Sequence, residues 1–175
     1  MFKKILLIIV LVVVVILVLA AFKPSNFSVQ RTATIQAPPE KIFPLINDYH
    51  NWPQWSPWEK IDPNMKRTFS GPTSGTGSVY EWDGNSKAGK GRMEIAESMP
   101  TSKIAIKLDF IKPMETKNNV QFNLQPNGNS TTVTWTMSGP VSFPAKVMTV
   151  FVSMDKMIGP DFEAGLANMK AAAEK

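Results

Sequence analysis

Residues 5–22 form an unbroken run of Ile, Leu, Val, Ala and Phe. As a helix at ~1.5 Å rise, such a run spans roughly 27 Å, close to the ~30 Å hydrocarbon core of a bilayer. Ile and Val favour strands in water, but a run this long without a polar residue predicts a membrane helix. Lys3 and Lys4 on one side and Lys23 on the other are placed to snorkel to the two interfaces. The segment also reads as a secretory signal, with Lys3 and Lys4 as its basic start and Val18-Leu19-Ala20 as a cleavage site. Its apolar stretch exceeds the ~7–15 residues usual for such a signal, which favours an uncleaved anchor. A short leading tail with two Lys predicts a single-pass membrane protein, N-terminus inside and domain outside the cytoplasm. Lys23, Arg31 and Lys41 nearly balance that count, so the orientation stays open. The chain thus divides into a tail (1–4), an anchor or signal sequence (5–22), a linker (23–26) and one domain (27–175).

Composition excludes several chemistries. Cysteine is absent, which removes disulfides, thiolate metal sites and thiol catalysis. A single His excludes the two-His helical zinc motif. The net charge is +5 with no run of Lys or Arg, a poor match to nucleic-acid binding.

After the linker, Phe27 to Gln36 alternates apolar and polar residues and predicts a strand. Pro38-Pro39-Glu40 opens a helix carrying Ile42, Phe43, Leu45 and Ile46, and a short helical turn follows over 49–55. Six strands are then expected at 65–70, 77–83, 90–99, 102–110, 117–125 and 130–138, separated by Gly, Pro and Asn-Gly turn signals. Ile104, Ile106, Leu108 and Phe110 share one strand face, as do Val120, Phe122 and Leu124, and Val133, Trp135 and Met137. The opposite faces are polar, so antiparallel pairing with one wet side is expected. From Ala145 the period changes: Val147, Phe151, Met154, Ile158, Phe162, Leu166 and Met169 step by three and four along one long helix. Gly159-Pro160 predicts a kink in it. The fold class is therefore α+β, a curved antiparallel sheet around a long C-terminal helix, because sheet and helix each have one apolar face to bury.

The stretches Ile35-Gln36-Ala37-Pro38-Pro39-Glu40-Lys41-Ile42-Phe43 and Asn47-Asp48-Tyr49-His50-Asn51-Trp52-Pro53-Gln54-Trp55-Ser56-Pro57-Trp58 resemble the polyketide cyclase/dehydrase-like (SRPBCC) branch of the START/Bet v1 superfamily. Gly89 to Ile95 and Met154 to Leu166 fit the same group. The resemblance covers about residues 27–172 and implies a helix-grip fold with an apolar cavity between sheet and helix. It implies binding of lipids, sterols, polyketides or other hydrophobic molecules, and in a few members cyclisation or dehydration. No catalytic signature of the aromatase/cyclases carries over to a residue here, and the N-terminal anchor departs from the soluble cyclases.

The expected cavity lining is Trp55, Trp82, Met93, Phe110, Phe122, Trp135, Met137, Phe151 and Met154. Trp52, Trp55 and Trp58 read either as a structural plug at one end of the sheet or as an aromatic rim at the mouth. His50 has no nucleophile at motif spacing and reads as a loop residue. If Tyr80, Trp82, Met93 and Ile95 face inward, Glu81, Asp83, Arg92 and Glu94 face water; a one-residue slip would reverse this. Asp155, Asp161 and Glu163 read as a solvated helix face, with no calcium-loop spacing. No catalytic residue, metal ligand or cofactor is assigned. The expected function is a membrane-tethered, monomeric module that binds a hydrophobic or amphipathic small molecule, a lipid or polyketide-like. The alternatives are a cyclase or dehydratase acting on a hydrophobic substrate, and a sealed structural domain.

Overall fold

A computed structural model describes residues 2–175. Helix α1 runs Phe2–Ala21, so the expected tail is helical from Phe2; Met1 lies outside the described residues. Strand β1 (Asn26–Ile35) follows after four residues, then α2 (Pro39–Asn47) and two 3-10 turns, Tyr49–Gln54 and Pro57–Lys60. Pro at the start of α2 fits a first turn, where its missing N–H costs nothing. Six strands come next: β2 (Lys66–Ser70), β3 (Val79–Asp83), β4 (Lys90–Met99), β5 (Lys103–Lys112), β6 (Thr116–Asn127) and β7 (Ser130–Pro140). They pair antiparallel in the order β1-β7-β6-β5-β4-β3-β2, so the first strand lies beside the last. Register shifts at Lys90/Gly91 and Ile95/Glu97 in the β4–β5 ladder are irregularities of the kind that bend a sheet.

Helix α4 (Met154–Ala173) lies along β1 and buries Phe162, Leu166, Met169 and Ala173 against the inner face of the sheet. This is the helix-grip arrangement expected from the order of elements. The helical region differs from expectation in one respect. It is two helices, α3 (Phe143–Thr149) and α4, broken at 150–153 rather than at Gly159-Pro160. The break has a local cause: Ser153 is extended, and its hydroxyl accepts from Lys156 N, so it caps a new helix. Pro160 sits within α4 without ending it. The period of three and four ran across the break by coincidence, and Phe151, which that period assigned to the interior, is 69% exposed.

Arg31 explains Gly159. It lies in the inward row of β1, and its guanidinium reaches Asp155 (2.7 Å) and Glu163 (2.7 Å) across α4. Asp155, Gly159 and Glu163 are spaced by four on one helix face. A methyl at position 159 would overlap the Arg31 guanidinium. Asp155 and Glu163 are 58% and 62% exposed, as expected of a solvated helix face, but both also hold Arg31, whose hydrogen bond lowers the Asp155 carboxyl from its ordinary value.

Candidate functional site

The inner face of the sheet is not covered evenly. At one end, Trp55, Phe122, Val133, Ile104 and Ile95 are closed over by α2, the first 3-10 turn and α4, and each is fully buried. At the other end the strands run past that packing and line a cavity of about 520 Å³. This lies within the ~300–1,000 Å³ of small-molecule pockets. Along each strand only the residues toward this end reach it. Leu108 and Phe110 line it but Ile104 and Ile106 do not; Trp135 and Met137 do but Val133 does not. Helices α3 and α4 form the opposite wall through Ala145, Met148, Met154, Met157, Ile158 and Phe162. The cavity reaches the surface, since Met114, Met148 and Met157 are both lining and exposed.

Of the nine residues expected in the lining, Trp82, Met93, Phe110, Trp135, Met137 and Met154 are brought together around this space. Trp55 and Phe122 lie behind it. Trp55 donates its indole N–H to Leu45 O at 2.7 Å and packs edge-on against Phe122 and Trp135, so it is a plug. Phe151 is on the outer surface of the α3–α4 turn and lines nothing, because the helix it was assigned to is broken there. Two neighbours of Trp55 in the tryptophan cluster, Trp52 and Trp58, touch the cavity instead. Both candidate meanings of that cluster therefore apply, divided among its members.

The register places Tyr80, Trp82 and Met93 inside, and Arg92 and Glu94 pair with each other at 2.8 Å, both half-buried. Gly91 stands opposite Trp82, and a methyl there would overlap the indole ring. The glycine is what lets Trp82 lie across the strand and wall the cavity. Trp135 stacks on Phe162 at 4.0 Å and 7° and is met edge-on by Trp58. Its buried indole N–H has no partner among the described residues.

Three charged residues border the cavity: Glu59, exposed Lys87 and half-buried Asp161. Glu59 is buried, and both its oxygens are engaged: Oε1 accepts from the Tyr80 hydroxyl at 2.6 Å and Oε2 from Arg67 Nε at 2.7 Å. Burial, then the Glu59 hydrogen bond, pushes the Tyr80 phenol well above its usual range. Ser56 and Asn118 are further buried polar residues in the wall, and Asn118 donates to Thr116 Oγ1 at 3.2 Å. Glu59 sits on a 3-10 turn, where strand alternation gives no signal, and Asn118 shares the inward parity of Val120 and Phe122 but is polar, so an apolar pattern passes over it. His50 lies outside the cavity, bonded to Asp48 at 2.7 Å and stacked on Phe69. Among the described residues no cluster of three or more potential metal ligands occurs.

The sequence pattern of the family described as polyketide cyclase / dehydrase and lipid transport matches residues 26–174. The chain belongs to this family. Its fold is shared with solved structures at low identity. Protein CV1439 from Chromobacterium violaceum is 14% identical, covers 87% of this chain and 99% of its own, and has a TM-score of 0.57. The Aha1 dimer from Colwellia psychrerythraea is 19% identical, with 85% and 96% covered and a TM-score of 0.60. The di-domain ARO/CYC BexL from the BE-7585A biosynthetic pathway is 16% identical, with 90% and 53% covered and a TM-score of 0.61. No curated protein matches in sequence. The apolar wall of the cavity between the sheet and the C-terminal helices suits a hydrophobic ligand.

Proposed function

We propose that this protein is a membrane-tethered binding module that holds a lipid-like or polyketide-like molecule in the cavity between sheet and α4. The observation that carries the reading is a space of about 520 Å³ walled by Trp, Phe, Leu and Met and open to the surface. Largely apolar walls of this kind favour burial of an apolar ligand. Two carboxylates line the wall, Glu59 and Asp161, and the buried one, Glu59, is already committed to Arg67 and Tyr80, which supports retention of a ligand over chemistry at that group. The tether is supported by α1, which is 20 residues long and contains an 18-residue stretch with a mean hydropathy of 3.4. Of its side chains only Ala20 is buried, so the helix projects from the domain with its apolar surface uncovered. Residues 27–175 form the binding domain of this reading, and residues 5–22 its anchor.

Native mass spectrometry of the full chain, extracted in mild detergent, tests the reading. The parent is expected to retain an adduct of lipid mass. Met137→Trp, which fills the cavity from β7, is expected to lose that adduct while keeping the near-UV circular dichroism of the parent. Lipids adhering to α1 would persist in both, so the difference isolates the cavity. Absence of any adduct in the parent, or equal retention by Met137→Trp, would refute binding in this space.

A further inference from the structure

The edge of the sheet where the cavity opens is also the edge from which α1 departs. Asn26 pairs with Pro140, Phe110 with Thr116, Lys90 with Lys112 and Asp83 with Lys90. The start of β1, the end of β7 and the β5–β6 loop therefore lie along one rim. Only residues 22–25 join α1 to β1, a reach of about 14 Å even fully extended. The last of them is held: Ser25 O accepts from Val141 N at 2.8 Å, and Ser25 Oγ accepts from Lys146 Nζ at 2.9 Å. Helix α1 itself touches α3. The joint has little slack.

Around this joint is a set of apolar side chains that the core does not use. Phe143, Met148, Phe151 and Val152, on α3 and the turn after it, are 50%, 57%, 69% and 44% exposed. Ile111 and Met114 at the β5–β6 loop are 41% and 42% exposed, and Ser142 Oγ meets Met114 Sδ at 3.7 Å, joining the two groups. Lys23 stands in the linker, Lys146 donates to Ser25 Oγ and Lys112 ends β5, while the loop after it carries one acid, Glu115. Clustered apolar exposure bordered by cations is the pattern of a surface that sits in a membrane interface.

We propose that this rim docks in the interfacial layer of the bilayer that α1 crosses. Phe143, Met148, Phe151 and Val152 enter the boundary between headgroups and acyl chains, and the lysines lie at the level of anionic phosphates. Met114 and Met148 belong to both the rim and the cavity wall, so the docked cavity opens onto lipid rather than water. The inference rests on α1 being a membrane tether. It adds that the domain is held against the bilayer face, not merely leashed to it.

The chain has no cysteine, so single-cysteine probes need no prior removal of others. Full-length Phe151→Cys, Met148→Cys and Asn129→Cys, each carrying an environment-sensitive fluorophore, are reconstituted into vesicles of phosphatidylcholine and phosphatidylglycerol containing doxyl-labelled lipid. Asn129 lies in the β6–β7 turn at the opposite edge of the sheet and serves as the remote control. Quenching by doxyl lipid is expected to be several-fold stronger at 151 and 148 than at 129, and weaker when phosphatidylglycerol is omitted. If the chain floats with the vesicles but probes at 151 and 148 are quenched no more than at 129, docking is overturned and the tether stands. Shielding of both probes from doxyl lipid and from aqueous iodide alike marks a protein on this face, and also overturns docking. If the chain does not float with vesicles, the tether is wrong and the docked rim falls with it.

Discussion

Truncating Phe162 and truncating Phe151 should have very different effects on stability. Phe162 is 1% exposed and stacks flat on Trp135, whereas Phe151 is 69% exposed. Full burial of a phenyl side chain stabilises by about 1.5–3 kcal/mol, and a well-placed aromatic pair adds about 0.5–1.5 kcal/mol. Phe162→Ala is thus expected to cost about 3–5 kcal/mol, the range of buried Phe truncations that leave a void. Phe151→Ala is expected to change stability by less than about 0.5 kcal/mol. Urea unfolding of the full chain in detergent micelles, followed by tryptophan fluorescence, measures both. All five tryptophans lie outside α1, so the signal reports the domain and not α1. Emission should also shift in the native state of Phe162→Ala, because Trp135 loses the ring that covers its face. Equal costs for the two variants would mean that α3 and α4 pack as one continuous helix and that the break at 150–153 is misplaced.

Much of the fold was legible because the strands obey a period of two. Ile104, Ile106, Leu108 and Phe110 did fall on one face of β5, and the six strand positions came out within a few residues of those expected. The helix break was not legible, since an N-cap serine such as Ser153 is a weak signal beside a Gly-Pro pair, which dominates any local reading. Pairing of Arg31 with Asp155 and Glu163 was invisible for another reason. It joins residues 124 and 132 positions apart, and only the packing of α4 on β1 brings them together.

The candidate site was half legible for a reason that follows from the same period. Alternation says which face of a strand is inward, but not how far along the strand the helices press down on it. Phe122 and Phe110 are equivalent by alternation; one is sealed under Trp55 and the other walls the cavity. Trp52, Trp55 and Trp58 differ in the same way, because their 3-10 turns aim successive side chains at different depths. A sequence reading can name the interior surface, and the cavity is whatever part of it the helices leave uncovered.

Three further outcomes follow from particular contacts. Gly91→Ala places a methyl against the Trp82 ring and the Asp109 carbonyl, so it should cost about 1–3 kcal/mol by overpacking; an unchanged urea midpoint would count against the Trp82–Gly91 register. Residues 27–175, expressed without α1, are expected to melt cooperatively as a monomer, since sheet and α4 already bury each other; aggregation without a cooperative transition would contradict this. The last concerns acid. Arg31 donates to Asp155 and holds its carboxyl below the ordinary 3.8. A folded-state value below the unfolded one stabilises only while the carboxylate is charged, so the contribution is complete above pH 3.8 and lost as pH falls through the folded value. Asp155 is 58% exposed, so the effect is small and screened by salt. Asp155→Asn should therefore lower the melting temperature slightly at neutral pH and by progressively less in acid, the two curves converging below the folded-state value. A difference that stays constant from neutral pH into that range would mean that Asp155 acts through helix capping or packing and not through its charge on Arg31.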